Sequence, residues 1–139
     1  MQTVKVIKKY RVLLGAIFLA HNLAHGETVV ITNLKNPEAL KPVAIRQIFL
    51  GKSQTFPSGT LAMPVESATS QKDFSEKFLQ MTPESLNAYW ARLLFTGTAK
   101  PLKKLDSDDE VLRFVLNNPN AIGYIDSSKV TSAVKVVSQ

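Results

Sequence analysis

The run Ser107 to Ile125, SDDEVLRFVLNNPNAIGYI, decides the fold. Ser107 with Glu110 three residues on is a capping-box pattern, so a helix starts there. Val111, Leu112, Phe114, Val115 and Leu116 supply its apolar positions. Asn117-Asn118-Pro119-Asn120 stops it, because proline cannot continue a helix. Ala121-Ile122-Gly123-Tyr124-Ile125 then reads as a buried strand. Asp106, Asp108, Asp109 and Glu110 have a simple reading: acids favour a helix N-terminus.

The same alternation extends outward in both directions. Upstream, Val29-Val30-Ile31-Thr32 is β-branched and reads as a first strand. Pro42 opens a helix carrying Val43, Ile45, Ile48 and Phe49, which Gly51 ends. Leu61 to Val65 reads as a second strand, with Pro64 marking an edge or an end. Ser70 and Asp73 suit the start of a further helix with Phe74, Phe78 and Leu79 at helical spacing. Thr82-Pro83 starts another, with Leu86, Trp90, Leu93 and Leu94 on one face. Tyr89 and Trp90 could face a ligand, but that spacing makes Trp90 a core residue, and Tyr124 reads as core too. Downstream, Ala133 to Val137 is a short last strand. Strands alternating with helices predict an α/β domain with a mainly parallel or mixed sheet.

The first 26 residues are expected to lie outside this domain. Lys5, Lys8, Lys9 and Arg11 precede the short apolar run Val12 to Ala20, and Ala24 and Gly26 are small residues before Glu27. That order predicts a secretory signal peptide cut after Gly26, with a domain over 27–139. The alternative is an uncleaved anchor, which the shortness of the apolar run argues against. Removing 26 of 139 residues leaves 113, enough for one core. Four of the 17 basic residues leave and none of the 11 acids, so the net charge falls from +6 to +2. A nucleic-acid protein would show a denser basic face; the run Lys100, Lys103, Lys104 reads as solvated charge.

Both histidines, His21 and His25, fall in the expected signal, and the chain has no cysteine. The mature domain therefore lacks Cys or His nucleophiles, His bases and His/Cys metal ligands. It is expected not to be an enzyme and to need no cofactor. Nor can disulfides support it.

Three phrases then carry a resemblance: AIRQIFLGKSQTFPSG (44–59), AYWARLLFTG (88–97) and NNPNAIGYIDSS (117–128), in that order. With an export signal in front, the chain resembles the phosphate-binding-protein-like family, relatives of the periplasmic phosphate receptors of ABC transporters. The likeness runs from about Val29 to Val137. It implies a single lobe of a type II periplasmic-binding-protein-like fold, a mixed sheet flanked by helices. It also implies phosphate or a related oxyanion as ligand. The partners implied are an ABC transporter permease, a membrane sensor, or a second lobe or dimer mate supplying the other half of the ligand cage.

The resemblance places the anion site at Met63 to Phe74, MPVESATSQKDF. Larger relatives carry Gly-Ser-Gly-Thr there, with an arginine nearby, holding an oxyanion at a helix N-terminus. Here the segment is Ser67-Ala68-Thr69-Ser70: the hydroxyls are kept, both glycines and the arginine are not. Gln71 and Lys72 are the nearest substitutes, and Glu66 places a negative charge beside the site. Ser67, Thr69 and Ser70 either contact an oxyanion or merely cap a helix. Thr32 and Asn33 end the first strand, where open α/β sheets gather ligand groups; their alternative is an ordinary turn. Two functions follow: an exported oxyanion-binding domain, or a degenerate lobe serving as a protein-interaction module without ligand.

Overall fold

The computed structural model describes residues 26–138. The expected export signal, except Gly26, lies outside the described residues. Five strands, β1 (Thr28–Asn33), β2 (Met63–Ser67), β3 (Lys103–Leu105), β4 (Ala121–Asp126) and β5 (Val134–Ser138), form one mixed sheet in the order β3-β2-β4-β1-β5. β2 runs parallel to β3 and β4, while β1 is antiparallel to both β4 and β5. The C-terminal ends of β2 and β4 therefore share one edge of the sheet, and β1 begins at that edge instead of ending there.

Helices cover both faces, as the alternation predicts. On one face lie α1 (Pro42–Phe49), α2 (Gln71–Phe74) with the π-helical turn Ser75–Leu79 that continues it, and α3 (Pro83–Phe95). On the other lies α4 (Asp108–Asn117), the one α-helix there among the described residues. β1 is buried along its whole length because it is covered from both sides. Its period-two alternation sends Val30 into the cluster with Ile45, Phe49, Phe74 and Tyr124, and Val29 and Ile31 into the cluster with Val111 and Val115. The first cluster is built on aromatic stacking: the Phe74 and Tyr124 rings lie 3.9 Å apart and nearly parallel, and Phe49 meets Phe74 edge-on at 4.8 Å. Fully burying a side chain of this size contributes roughly 1.5–3 kcal/mol.

The termini of the helices follow the sequence. Pro42 opens α1, and Gly51, at φ +67°, follows it in the left-handed conformation that ends helices. Thr82 caps α3 by accepting from Ser85 N at 3.2 Å. Ser107 accepts from Glu110 N at 3.3 Å, while the Glu110 carboxylate accepts from Asp106 N, one residue before the cap.

Three expectations are sharpened. First, β2 is an interior strand, so of the two readings of Pro64 the end of a strand holds and the edge does not. β3 pairs with β2 only from Val65 onward, so Pro64 sits where no neighbour needs its missing N–H. Second, Lys103 and Lys104 belong to an edge strand, which the basic run concealed; lysines on an edge discourage pairing with other chains. Third, α3 buries only Leu86 fully. Trp90 and Leu93 are half-buried, Leu94 is 44% exposed and Phe95 92%. Only the N-terminal half of α3 has a core to pack on.

Gly123 sets how closely α4 approaches the sheet. A Cβ there would lie 2.6 Å from Val111 Cγ1 and 3.0 Å from Val65 Cγ2. Gly123→Ala is expected to cost about 1–3 kcal/mol by overpacking. Combining it with Val111→Ala should cost less than the two single changes added together, because the smaller side chain makes room. Urea denaturation of the two single variants and the double variant measures this; strict additivity would show that the close contact is not the cause.

Candidate oxyanion cradle

The cradle begins with strand alternation. Val65 and Ser67 lie two apart on β2 and face α4, whereas Glu66 faces the aromatic side. After Ser67 the chain turns through Ala68, Thr69 and Ser70, and Ala68 N is fixed to Leu105 O at 2.9 Å. This turn brings three hydroxyls to the first residue of α4, Asp108. The Asp108 carboxylate accepts from Ser67 Oγ in a very short hydrogen bond and from Thr69 Oγ1 at 3.0 Å. Ser70 Oγ lies 2.8 and 2.9 Å from its two oxygens. A fourth donor is a backbone amide: Asp126 N, at the end of β4, reaches Oδ2 at 2.9 Å.

Three of these groups are out of water, while Thr69 stays exposed at the rim. Ser67 is fully buried, and Ser70 and Asp108 are each only 7% exposed. A carboxylate without partners in such a place would cost several kcal/mol. Hydrogen bonds to a charged acceptor contribute roughly 1.5–3 kcal/mol each, enough in sum to hold it there. The cluster thus joins four chain segments: the end of β2, the turn into α2, the start of α4 and the end of β4.

Of the two readings of the hydroxyl run, the plain helix cap is not what the geometry shows. Ser70 stands at the N-cap position of α2 but makes no side-chain cap bond. Its hydroxyl, with those of Ser67 and Thr69, converges on an anionic group, and that group is the protein's own carboxylate. Gln71 accepts from Lys104 Nζ at 3.0 Å, beside the cradle and not in it. Lys72 is exposed, and its carbonyl takes the Ser75 hydroxyl.

Thr32 and Asn33 are not brought to the cradle. Thr28 pairs with Asp126, and β1 runs away from that point, so Thr32 lies four residues or about 13 Å further along. Asn33 instead donates to Val115 O and Leu116 O at 2.8 and 3.1 Å, tying down the last turn of α4. Thr32 Oγ1 is buried without a hydrogen-bond partner. The antiparallel direction of β1 is the reason: its C-terminus faces the opposite edge of the sheet.

Two members of the cluster carry no distinguishing signal in the sequence. Asp108 looked like one more acid in a helix first turn, as Asp109 is. The Asp109 side chain is 62% exposed and pairs with Lys129 at 3.3 Å. Nothing local distinguishes the two; only the period-3.6 direction of α4 turns Asp108 inward. The Asp126 amide carries no side-chain signal at all.

The surroundings of the cradle are negative. Beside it opens a depression of about 460 Å³ touching Thr69 and Ser70, with Glu27, Asp73 and Asp126 on its walls and Lys77 as the cation. Lys77 is already paired with Glu27 at 3.2 Å. On the aromatic side, the Tyr124 hydroxyl is fully buried. Burial and the nearby Glu66 and Asp108 carboxylates push its ionisation far up, partly offset by the Ser67 backbone. Burial likewise raises the Glu66 carboxyl, partly offset by Lys104 and by a hydrogen bond to Gln71.

Glu66 gives a pH dependence. Its folded-state pKa lies above the unfolded value, so its contribution favours the fold below the unfolded pKa and is lost as pH rises through the folded pKa. Glu66→Gln removes that loss. The variant is expected to gain on wild type as pH rises from 4 to 7.5, in paired urea denaturations. A difference that does not change with pH would remove burial of Glu66 as the cause.

No protein-family model and no curated protein matches the chain. Solved structures do match. One is described as a phosphate ABC transporter substrate-binding protein with bound phosphate, from Clostridium perfringens; the TM-score is 0.60 at 23% identity, over 80% of this chain and 44% of that one. A second, an ABC-type phosphate transport receptor from Vibrio cholerae, gives 0.59 at 19% identity, over 80% and 45%. A third, described as a possible phosphate binding protein from Planctomyces limnophilus, gives 0.54 at 13%, over 80% and 40%. The chain spans less than half of each of these proteins. It has the fold found in part of phosphate-type substrate-binding proteins, consistent with a single lobe.

Proposed function

We propose that this chain is the oxyanion-binding half of a substrate-binding protein, exported to the periplasm and serving an ABC transporter permease or a membrane sensor. A second lobe, from another chain or a second copy, completes the ligand cage. The observation that carries this reading is the convergence of Ser67, Thr69, Ser70 and Asp126 N on one anionic group. Donors of this kind, fixed and largely buried, are what a phosphate or related oxyanion requires. The likeness in fold to phosphate transport receptors supports the same ligand class.

A second reading has its own observation. The anion in the cradle is Asp108, and the adjoining depression is acidic. A lobe that has replaced its ligand with a side chain would act as an interaction module, presenting the fold to a transporter or sensor without carrying anything.

Thermal-shift and calorimetric titration of the purified protein with phosphate, sulfate and arsenate, against chloride at equal ionic strength, separates the two. The oxyanion reading expects weak, saturable stabilisation by at least one oxyanion. It would approach about 2.7 kcal/mol if ligand reached 100 times its dissociation constant. Thr69→Ala/Ser70→Ala should abolish that gain. It should also lower the basal stability by about 1–3 kcal/mol for each acceptor position of Asp108 left unfilled. No oxyanion-specific stabilisation of the wild type would leave the interaction module as the function.

A further inference from the structure

We propose that Asp108 is a tethered ligand: its carboxylate occupies the cradle as a free oxyanion would and thereby sets what the site accepts. The inference rests on the cradle being of the oxyanion kind. It goes further by naming the residue that decides occupancy.

The stoichiometry of donors comes first. Three hydroxyls from one short turn and one amide from a separate strand meet on two oxygens of one group. A carboxylate needing only to be soluble at a helix start would face solvent, as Asp109 does next door. Asp108 is instead buried, and every side-chain oxygen of the run Ser67, Thr69, Ser70 is committed to it.

Competition then follows from chain connectivity. A group held on the same chain acts at an effective concentration of millimolar or more, and far higher when it is preorganised. Free phosphate or a free carboxylate must displace Asp108 before it can bind. Ser67 and Thr69, standing where the resemblance would place glycines, fit the same picture. The turn does not present its own amides to the anion; the hydroxyls do that work, and they are spent on Asp108.

The test removes the tether. Asp108→Gly and Asp108→Ser empty the cradle, whereas Asp108→Asn keeps it filled with a neutral side chain. Acetate and inorganic phosphate are titrated against chloride at constant ionic strength, with melting temperature and calorimetric binding as readouts. Asp108→Gly or Asp108→Ser is expected to melt below wild type and to be rescued saturably by acetate or phosphate. Its affinity should be at least about tenfold above wild type. Asp108→Asn should show no such gain, and adding Ser70→Ala to Asp108→Gly should abolish it. A variant that folds only when oxyanion is present counts as rescue. Failure of both emptied variants to be rescued overturns the proposal, whether or not they fold. Wild type binding as tightly as Asp108→Gly overturns it too, and leaves the oxyanion reading standing. Rescue of the variants with no binding by wild type supports the tether and moves the function to the interaction module.

Discussion

The Asp108 carboxylate is the constraint on which this domain's functional end depends. It gathers the end of β2, the turn into α2, the start of α4 and the end of β4 around one buried charge. Each segment belongs to a different part of the chain, so the bonds close long loops as well as satisfying a charge. Taking any one donor away leaves the others aimed at an anion that is less well paid for in hydrogen bonds. That is why the cluster is a structural clamp.

Sheet direction decides where such a clamp can form. β2 and β4 are parallel and end at the same edge, and α4, which packs across them, begins there. Donors from strand ends and the first turn of a helix therefore meet without special arrangement. This is the place where open α/β sheets hold their ligands. β1 runs the other way between β4 and β5, and so contributes its first residue, not its last, to that edge. Thr32 and Asn33 serve the far edge, where Asn33 holds the end of α4.

Charge around the cradle works against a free dianion. Glu66, Glu27, Asp73 and Asp126 outnumber the nearby cations Lys77 and Lys104, and Lys77 is already paired with Glu27. The phosphate-type receptors that share this fold are longer, and the chain spans less than half of each. In this chain the position at the end of β2 is held by its own side chain.

Much of this was determined by the sequence alone. The capping box at Ser107, the stop at Asn117 to Asn120 and the strand after it fix an α/β pattern, because caps, proline and β-branched runs act locally. Ser67, Thr69 and Ser70 stood out as hydroxyls at a helix start, a cap or, through the resemblance, an oxyanion contact. Only the tertiary structure decided what they hold. The partner of that run, Asp108, is some forty residues away and looks identical to its exposed neighbour Asp109. Its inward direction depends on how α4 crosses the sheet over Gly123. The direction of β1, which removes Thr32 and Asn33 from the site, is likewise a property of pairing between distant segments. Local patterns carry no record of which strand lies antiparallel to which, or of which carboxylate turns inward; long-range packing settles both.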